Sequence, residues 1–286
     1  MAVTFNNLYL DIRQKLIDNG ISSASLEAKE IVCYGAEKKR DDFYRVSQLY
    51  VSPQVERNCY ELLARRVAGQ PIAYITGEWD FYDLNLVVTP DVLIPRPDTE
   101  LLVEETIKEA KSREKGVRIL DLCCGSGCVG LAVAKHVPDC KMVLGDKSEA
   151  AIKIARQNLK RVETSAIVSC VQMDAMAPAP ISIGSFDIIV SNPPYIATEE
   201  IKMLDASVRD FEPHMALDGG EDGMDFYRSI CSKWRYVLKD GGRLIFECGI
   251  NQAFNLCDLL AANGFGDLII KKDLQGIDRV VSAKLM

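Results

Sequence analysis

The fold of this chain is decided by the stretch Ile119-Leu-Asp-Leu-Cys-Cys-Gly-Ser-Gly-Cys-Val-Gly130. An apolar strand pattern runs directly into closely spaced glycines, and an apolar helical segment follows them. Glycines let the backbone turn tightly, and a turn that leads from a strand into a helix N-terminus is a typical binding loop for a small molecule. The stretch therefore predicts the first strand, loop and helix of an α/β sheet.

The alternation of strand and helix continues on the C-terminal side of this loop. Strands are predicted over 117–122, 141–145, 166–173, 186–191, 243–248, 267–272 and 279–285. Helices are predicted between them over 127–136, 149–162, 222–237 and 252–262. This order predicts an α/β fold with a doubly wound, mostly parallel seven-stranded sheet.

The N-terminal part follows helical spacing, with Leu8, Ile12 and Leu16 on one face. We expect a small all-helical N-terminal domain over residues 1–72. Two segments, Tyr74-Ile-Thr-Gly77 and Asp83-Leu-Asn-Leu-Val-Val-Thr-Pro90, alternate polar and apolar residues at period two. They predict a β-hairpin that links the domains over residues 73–95, so that residues 96–286 form the large domain.

Composition excludes several classes of protein. The chain has 34 Lys and Arg against 41 Asp and Glu, and its net charge of −7 does not favour general nucleic-acid binding. It shows no apolar run of the roughly 20 residues that span a bilayer and no signal-peptide pattern at its start, so we expect a cytoplasmic protein with no membrane partner. With only two histidines and no Cys-x-x-Cys pair, no metal site is expected.

Two cofactors compete for the glycine loop. Gly125-Ser-Gly-Cys-Val-Gly130 fits the dinucleotide pattern G-x-G-x-x-G, and Asp146 follows about 20 residues later, as that pattern requires. Asp121, however, would repel a pyrophosphate, whereas it can counter the ammonium group of a methionyl moiety. The loop therefore favours S-adenosylmethionine over NAD.

Two further carboxylates are candidates for the rest of that cofactor. Asp146 can accept hydrogen bonds from both ribose hydroxyls, although a helix cap, which Ser148 can provide alone, is the structural alternative. Asp174 can accept from the adenine amine, although an Asp directly after a strand is often a turn residue.

The strongest signal is Phe186-Asp-Ile-Ile-Val-Ser-Asn-Pro-Pro-Tyr195. The two prolines stiffen the loop after an apolar strand and supply no backbone N–H. The side-chain oxygen of Asn192 and the carbonyl of Pro193 can then act as two fixed acceptors for a planar NH2 group, with the Tyr195 ring against its face. The alternative is an ordinary proline turn. The loop predicts a substrate that is an amide or an aromatic amine.

Taken together, these motifs resemble the class I S-adenosylmethionine methyltransferases and, among them, the protein-(glutamine-N5) methyltransferases of peptide chain release factors. Further blocks follow that family's order: Arg66-Val-Ala-Gly-Gln-Pro-Ile-Ala-Tyr-Ile-Thr-Gly77, Leu93-Ile-Pro-Arg-Pro-Asp-Thr-Glu100, Phe211-Glu-Pro-His-Met-Ala-Leu-Asp-Gly-Gly-Glu-Asp-Gly223, Glu247-Cys-Gly-Ile-Asn-Gln252 and Asp273-Leu-Gln-Gly-Ile-Asp-Arg279. The resemblance implies methyl transfer to the N5 amide nitrogen of the glutamine in the GGQ motif of bacterial class 1 release factors. It also implies that the helical N-terminal domain contacts the release factor.

The resemblance assigns roles to individual residues. The catalytic set is Asn192, Pro193 and Tyr195, and Pro194 and Arg96 join them in binding the substrate. S-adenosylmethionine, which leaves as S-adenosylhomocysteine, is expected to contact Asp121, Cys123, Cys124, Gly125, Ser126, Gly127, Asp146, Lys147, Asp174, Ala175 and Asn192.

One position departs from the family pattern Asp-Leu-Gly-x-Gly-x-Gly, because Cys123 replaces its first glycine. If that position needs a positive φ, Cys123 is strained by about 1–2 kcal/mol. Three alternatives remain open. An adenine-N6 methyltransferase of nucleic acid shares the Asn-Pro-Pro-Tyr loop, an NAD-dependent oxidoreductase leaves that loop unexplained, and a binding module that lost catalysis is supported only by Cys123.

Overall fold

The structure is a computed structural model that describes residues 3–286, so residues 1 and 2 of the predicted N-terminal domain lie outside the described residues. The chain divides into two compact units. The smaller unit comprises residues 3–78 together with Ala206–Phe211, and the larger comprises Trp79–Asp205 and Glu212–Met286. A short segment from the second half of the chain thus belongs to the smaller unit, which the sequence did not indicate.

The smaller unit is helical. Its helices are α1 (Phe5–Asp18), α2 (Ala24–Gly35), α3 (Phe43–Val46), α4 (Pro53–Val67) and α5 (Ile72–Thr76), together with α9 (Ala206–Arg209). The apolar stripe Leu8, Ile12 and Leu16 is fully buried, as its spacing predicts. The Arg66 guanidinium pairs with the buried Glu27 carboxylate at 2.5 Å and so ties α4 to α2.

The hairpin lies within the predicted span 73–95 and its second strand within the predicted segment 83–90, but its first strand begins later than predicted. Tyr74-Ile-Thr-Gly77 was predicted as a strand, which is wrong, because these residues form the end of α5 and its left-handed cap at Gly77. The two strands are β1 (Glu78–Phe81) and β2 (Leu84–Val87). Their two-residue turn, Tyr82 and Asp83, has positive φ at both positions, a geometry usually signalled by Asn-Gly or Asp-Gly. The sequence lacks that signal.

The larger unit contains the predicted seven-stranded sheet. Its strands are β3 (Arg118–Leu122), β4 (Lys141–Asp146), β5 (Ile167–Gln172), β6 (Phe186–Ser191), β7 (Leu238–Glu247), β8 (Phe265–Lys272) and β9 (Asp278–Leu285). Their spatial order is β5-β4-β3-β6-β7-β9-β8. Only β9 runs against its neighbours, so the mostly parallel sheet is confirmed.

Helices cover both faces of this sheet. They are α6 (Glu100–Lys111), α7 (Cys128–His136), α8 (Glu149–Leu159), α10 (Asp225–Ser229) and α11 (Ala253–Ala262). One apolar cluster joins the sheet to α6, α7 and α8, and a second joins its other face to α10 and α11. This arrangement is the doubly wound architecture that the alternating pattern predicts.

Two predicted boundaries are wrong. A single helix was predicted over 222–237, but α10 ends at Ser229 and continues as a wider π-helical turn, Ile230–Trp234, and a 3₁₀ turn. The π turn holds the fully buried Trp234, whose indole N–H donates to the carbonyls of Ala175 and Ala177 at 3.1 Å. Strand β7 begins at Leu238 rather than 243, because Leu238 already pairs with Phe186 of β6.

Parallel pairing aligns the carboxyl ends of β3, β4, β5 and β6 at one edge of the sheet. The loop after β3 is held there by Asn158 of α8, whose side chain is fully buried. Asn158 Nδ2 donates to the carbonyls of Ser126 at 2.9 Å and Val87 at 3.1 Å, and its Oδ1 accepts from the Val87 N–H at 2.7 Å. One side chain therefore joins the hairpin, α8 and the glycine loop.

We expect Asn158→Ala to lower the free energy of unfolding by about 3 kcal/mol, because it leaves buried backbone groups of Val87 and Ser126 without partners. Urea unfolding measures the change. Gln157→Ala, at the exposed neighbouring position of α8, is the matched control and should change stability by less than about 0.5 kcal/mol. Equal losses in the two variants would contradict this role of Asn158.

Candidate active site

A cleft of about 920 Å³ opens at the carboxyl edge of the sheet. Most of the predicted site residues line it: Arg96, Asp121, Cys123, Cys124, Gly125, Ser126, Asp146, Lys147, Asp174, Ala175, Asn192 and Pro194. Three others, Gly127, Pro193 and Tyr195, are not among the described residues that line the cleft.

The glycine loop brings α7 close to β3. A side chain at Gly130 would place its Cβ 2.9 Å from Asp121 Oδ2, so only glycine fits there. This approach lets the Gly130 N–H donate to Asp121 Oδ2 at 2.8 Å. The carboxylate of Asp121 is thereby fixed at the end of β3, beside the cleft.

Asp121 is a buried carboxylate with little compensation. Its side chain is 1% exposed, and burial raises its pKa to about 7, against the lowering effect of the Gly130 N–H; the nearby Asp146 raises it further. A desolvated carboxylate at the edge of a cleft is stabilised by a ligand cation that reaches it. The electrostatics of this end of the cleft therefore suit an ammonium group.

Cys123 occupies the position where the family pattern has glycine, and its φ is +66°. The residue is thus in the left-handed region, where a side chain costs about 1–2 kcal/mol. Its half-buried side chain packs against the apolar cluster below the sheet. The loop keeps the glycine-like conformation although the residue is a cysteine.

The thiols of two neighbouring cysteines, Cys124 and Cys128, are held in the protonated form. Burial raises the pKa of the Cys128 thiol to about 12 and that of Cys124 well above its ordinary value. Thiols held in the protonated form are poor nucleophiles. Cys124 and Cys128 therefore line the cleft as protonated thiols.

Asp146 ends β4 and supports the same loop. Its Oδ2 accepts from the Gly125 N–H and its Oδ1 from the Ser148 N–H, each at 2.9 Å. The cap of α8 comes from the Ser148 hydroxyl, which accepts from the Ala151 N–H, so Asp146 is not the capping residue. Each Asp146 oxygen retains a further lone pair for a ligand.

Asp174 both stabilises a local turn and lines the cleft. Its Oδ1 accepts from the Met176 N–H at 2.8 Å, which is the local turn that the residue type favours. Its Oδ2 pairs with Lys147 at 2.9 Å. Partial burial acts to raise the pKa of Asp174, but these two partners hold it below its ordinary value.

The Asn-Pro-Pro-Tyr loop after β6 is clamped by glycines of the block at 211–223. Gly223 has φ +72°, and a side chain there would collide with the Tyr195 carbonyl. That carbonyl accepts from Gln252 Nε2 at 2.9 Å, and the Ile196 N–H donates to the Leu217 carbonyl. The loop is therefore fixed from two sides, which an ordinary proline turn does not require.

The side chains of Asn192 and Tyr195 form hydrogen bonds with different residues. Asn192 lines the cleft, and its Nδ2 donates to the Thr99 hydroxyl at 3.3 Å. The Tyr195 hydroxyl donates to Glu247 Oε1 at 3.3 Å, and burial and that carboxylate raise the pKa of Tyr195. A contact of the Tyr195 ring with a substrate stays a prediction.

Sequence reasoning missed several residues that line the cleft, among them Leu93, Pro95, Thr99, Met215 and Phe226. All but Phe226 belong to the blocks at 93–100 and 211–223, in which only Arg96 had been assigned a role. Arg96, from the first block, pairs with the buried Glu212 of the second at 2.5 Å.

No helix within residues 3–286 is long and apolar enough to cross a membrane. Within the same residues, no three His, Cys, Asp or Glu side chains are grouped so that they could hold a metal ion.

We expect Cys123→Gly to raise the free energy of unfolding by about 1 kcal/mol, because glycine adopts φ +66° without the side-chain penalty. Cys123→Val should lower it, since a β-branched residue tolerates a positive φ poorly. Thermal and urea unfolding of both variants measure the effect. A glycine variant that is no more stable than the valine variant would show that the loop is not strained.

Two family models match the chain. The PrmC N-terminal domain matches residues 7–77, and the methyltransferase small domain matches residues 97–214. Among solved structures, a methyltransferase from Pyrococcus furiosus superposes with a TM-score of 0.51 over 77% of this chain and 96% of its own, at 17% identity. That similarity supports the fold.

Relatives of higher identity cover nearly the whole chain. The release factor glutamine methyltransferase of Geobacter sulfurreducens is 37% identical over 96% of this chain and 94% of its own. The enzyme of the same name from Thermodesulfovibrio yellowstonii is 38% identical over 93% and 94%. The protein is thus a methyltransferase that uses S-adenosylmethionine, and the chain belongs to the family of release factor glutamine methyltransferases.

Proposed function

We propose that the enzyme transfers a methyl group from S-adenosylmethionine to the N5 amide nitrogen of the glutamine in the GGQ motif of bacterial class 1 release factors, in the cytoplasm. The observation that carries the proposal is the clamped Asn-Pro-Pro-Tyr loop, which ends β6 and brings Asn192 into the cleft. The names of the relatives supply the partner.

The cleft fits the methyl donor residue by residue. Asp121 is a buried carboxylate without a cationic partner among its described hydrogen bonds, and it suits the donor's ammonium group. Asp146 retains lone pairs for the ribose hydroxyls, and Asp174 and Ala175 also line the cleft, which supports assigning them to the adenine amine and ring. When bound, the sulfonium supplies an electrophilic methyl group.

Asn192 and Pro193 act on the substrate amide. An amide nitrogen is a weak nucleophile because its lone pair is delocalised into the carbonyl. Two acceptors that hold its N–H groups orient the nitrogen towards the methyl group and stabilise the positive charge that grows on it. The methylated nitrogen is strongly acidic and releases its proton readily, so the reaction needs no strong base from the protein.

In this proposal, Arg96 and the helical unit contact the release factor. Arg96 lines the cleft, is half exposed and is held in place by Glu212, which suits a contact with the peptide backbone near the glutamine. The helical unit matched by the PrmC N-terminal domain model contacts the release factor. A net charge of −7 favours a protein substrate over nucleic acid.

The affinities of two ligands distinguish the roles of the Asp121 and Asp146 carboxylates. We expect Asp121→Asn to raise the Kd of S-adenosylhomocysteine about 10- to 30-fold, since a hydrogen bond between charged groups contributes about 1.5–2 kcal/mol. The same variant should bind methylthioadenosine, which has the ribose but no ammonium, as wild type does. Asp146→Asn should weaken both ligands. Calorimetric titration of wild type and both variants measures all six Kd values, and an Asp121→Asn loss that is equal for the two ligands would contradict the assignment.

The substrate is tested by methyl transfer from radiolabelled S-adenosylmethionine to purified bacterial release factor, beside tRNA, rRNA and duplex DNA. We expect one methyl group on the GGQ glutamine, located by mass spectrometry, and a loss of more than about 100-fold in rate for Asn192→Ala. Gln157→Ala, on the exposed face of α8, is the control and should keep full activity.

Label found only on adenine would show that the substrate is nucleic acid and not the release factor. Label on a different side chain of the release factor would contradict the glutamine assignment and keep the partner.

A further inference from the structure

The side chain of Gln252 joins three segments at the carboxyl edge of the sheet. Its Nε2 donates to the Tyr195 carbonyl at 2.9 Å and to the Gly223 carbonyl at 3.4 Å, and its Oε1 accepts from the Gly249 N–H at 2.9 Å. These partners belong to the Asn-Pro-Pro-Tyr loop, to the block at 211–223 and to the turn between β7 and α11. The resemblance gave Gln252 no role, and Gln252 is not among the described residues that line the cleft.

The chemistry of these partners fixes the orientation of the Gln252 amide. A backbone N–H only donates, and a backbone carbonyl only accepts. The amide oxygen must therefore face Gly249, and the NH2 group must face Tyr195 and Gly223. Rotation of the amide by half a turn would set its oxygen against two carbonyls and its NH2 group against an N–H. One orientation is therefore strongly favoured.

Glutamine at position 252 suits this contact better than it suits the helix. Gln252 is the N-cap of α11, where Ser, Thr, Asp and Asn are preferred because their side chains accept from backbone N–H groups of the first turn. The Gln252 side chain forms no such capping hydrogen bond. At Gly249, a side chain would place its Cβ 2.8 Å from Gln252 Oε1, so a larger residue there would displace the amide. The turn before α11 therefore leaves room for the contact with the loop.

The backbone of the Asn-Pro-Pro-Tyr loop is held from its C-terminal end. Its two prolines have no backbone N–H, and neither proline carbonyl accepts a hydrogen bond from another residue within 3–286. The Tyr195 carbonyl is held by Gln252, and the Ile196 N–H donates to the Leu217 carbonyl at 3.1 Å. These two groups belong to the same peptide unit, which is therefore fixed from both sides. The Pro193 carbonyl lies two peptide units before it.

We propose that Gln252 is a positioning residue, which fixes the peptide unit after Tyr195 and thereby sets where the loop presents the Pro193 carbonyl and the Asn192 side chain to the substrate. The inference rests on the proposed function, in which these two acceptors hold the substrate amide. The two prolines transmit the fixed position because their rings restrict φ. Without Gln252, the Tyr195 carbonyl loses its partner and the loop is free to shift.

The test compares two replacements of similar length. Gln252→Met removes all three hydrogen bonds, and Gln252→Glu sets an oxygen against the Tyr195 and Gly223 carbonyls. We expect both to lower kcat for the release factor about 10- to 100-fold, since a displacement of about 1 Å can cost 100-fold in rate. The Kd of S-adenosylhomocysteine should change less than about threefold, because Gln252 does not line the cleft.

The glutamate variant also has a distinctive pH profile. An ionised carboxylate cannot donate, whereas a protonated carboxyl group donates one hydrogen bond. The kcat of Gln252→Glu relative to wild type should therefore rise as the pH is lowered from about 9 to about 6 and the introduced carboxylate takes up a proton. The same ratio for Gln252→Met should not change with pH.

Two kinds of control accompany these variants. Gln157→Met and Gln157→Glu make the same replacements at an exposed position of α8 and should keep wild-type kcat. Thr106→Val removes a buried hydroxyl on α6 that donates to the Leu102 carbonyl at 2.7 Å. It should also leave kcat unchanged, and its thermal unfolding reports the general cost of losing a buried hydrogen bond.

Hydrogen exchange measures the loop itself, without any substrate. The Ile196 N–H is protected by its hydrogen bond to Leu217, on the same peptide unit that Gln252 holds. We expect the peptide that contains Ile196 to exchange at least about tenfold faster in both Gln252 variants than in wild type, since local opening of the loop becomes easier. The Gln157 variants should exchange as wild type does. Mass spectrometry of the digested protein gives these rates.

Three results would overturn the inference: a Gln252→Met variant with wild-type kcat, unchanged exchange at Ile196 in both Gln252 variants, or a loss that appears wholly in the Kd of S-adenosylhomocysteine. A wild-type enzyme that methylates no glutamine contradicts the proposed function instead. The exchange rates then still decide whether Gln252 holds the loop, so the two failures are distinguished.

Discussion

Parallel pairing of β3 with β4 on one side and β6 on the other is the constraint on which the rest of the structure depends. It brings three strand ends to one edge, and each delivers one polar residue there: Asp121, Asp146 and Asn192. Because these residues are far apart in sequence, only this register makes one cleft of them. The Asn158 side chain donates a hydrogen bond to the Ser126 carbonyl and so holds the loop after β3 in place at this edge.

The two buried carboxylates at this edge have opposite relations to the cleft. Asp121 lines the cleft and is desolvated, with a pKa of about 7, so a ligand cation would stabilise its charge. Glu247 has a pKa raised to a similar value by burial, but it lies behind the Asn-Pro-Pro-Tyr loop and is supported by Arg279. Asp121 is thus placed to meet a ligand, whereas Glu247 accepts a hydrogen bond from the Tyr195 hydroxyl. Both cost stability, as functional sites commonly do.

Much of this architecture was predictable from local pattern. The alternation of strands and helices predicts the sheet, and the glycine loop and the Asn-Pro-Pro-Tyr segment predict seven residues of the cleft: Asp121, Cys123, Cys124, Gly125, Ser126, Asn192 and Pro194. The first strand of the hairpin was misplaced because the turn, Tyr82 and Asp83, has positive φ without the Asn-Gly or Asp-Gly pair that usually indicates it. The π turn at Ile230–Trp234 was missed because its partners, the carbonyls of Ala175 and Ala177, are more than fifty residues away. The contacts of Thr99, Gly223 and Glu247 were not predictable for the same reason, since each of these residues contacts a distant loop.

The central claim is that the amide oxygen of Asn192 and the carbonyl of Pro193 hold a glutamine side chain in line with the methyl donor. The most direct test is a crystal structure of the enzyme with S-adenosylhomocysteine and a peptide that contains the GGQ motif. The account predicts the glutamine NH2 group within hydrogen-bond distance of both acceptors and its nitrogen facing the sulfur. A glutamine bound elsewhere, or an Asn192 amide that turns its NH2 group to the ligand, would contradict it.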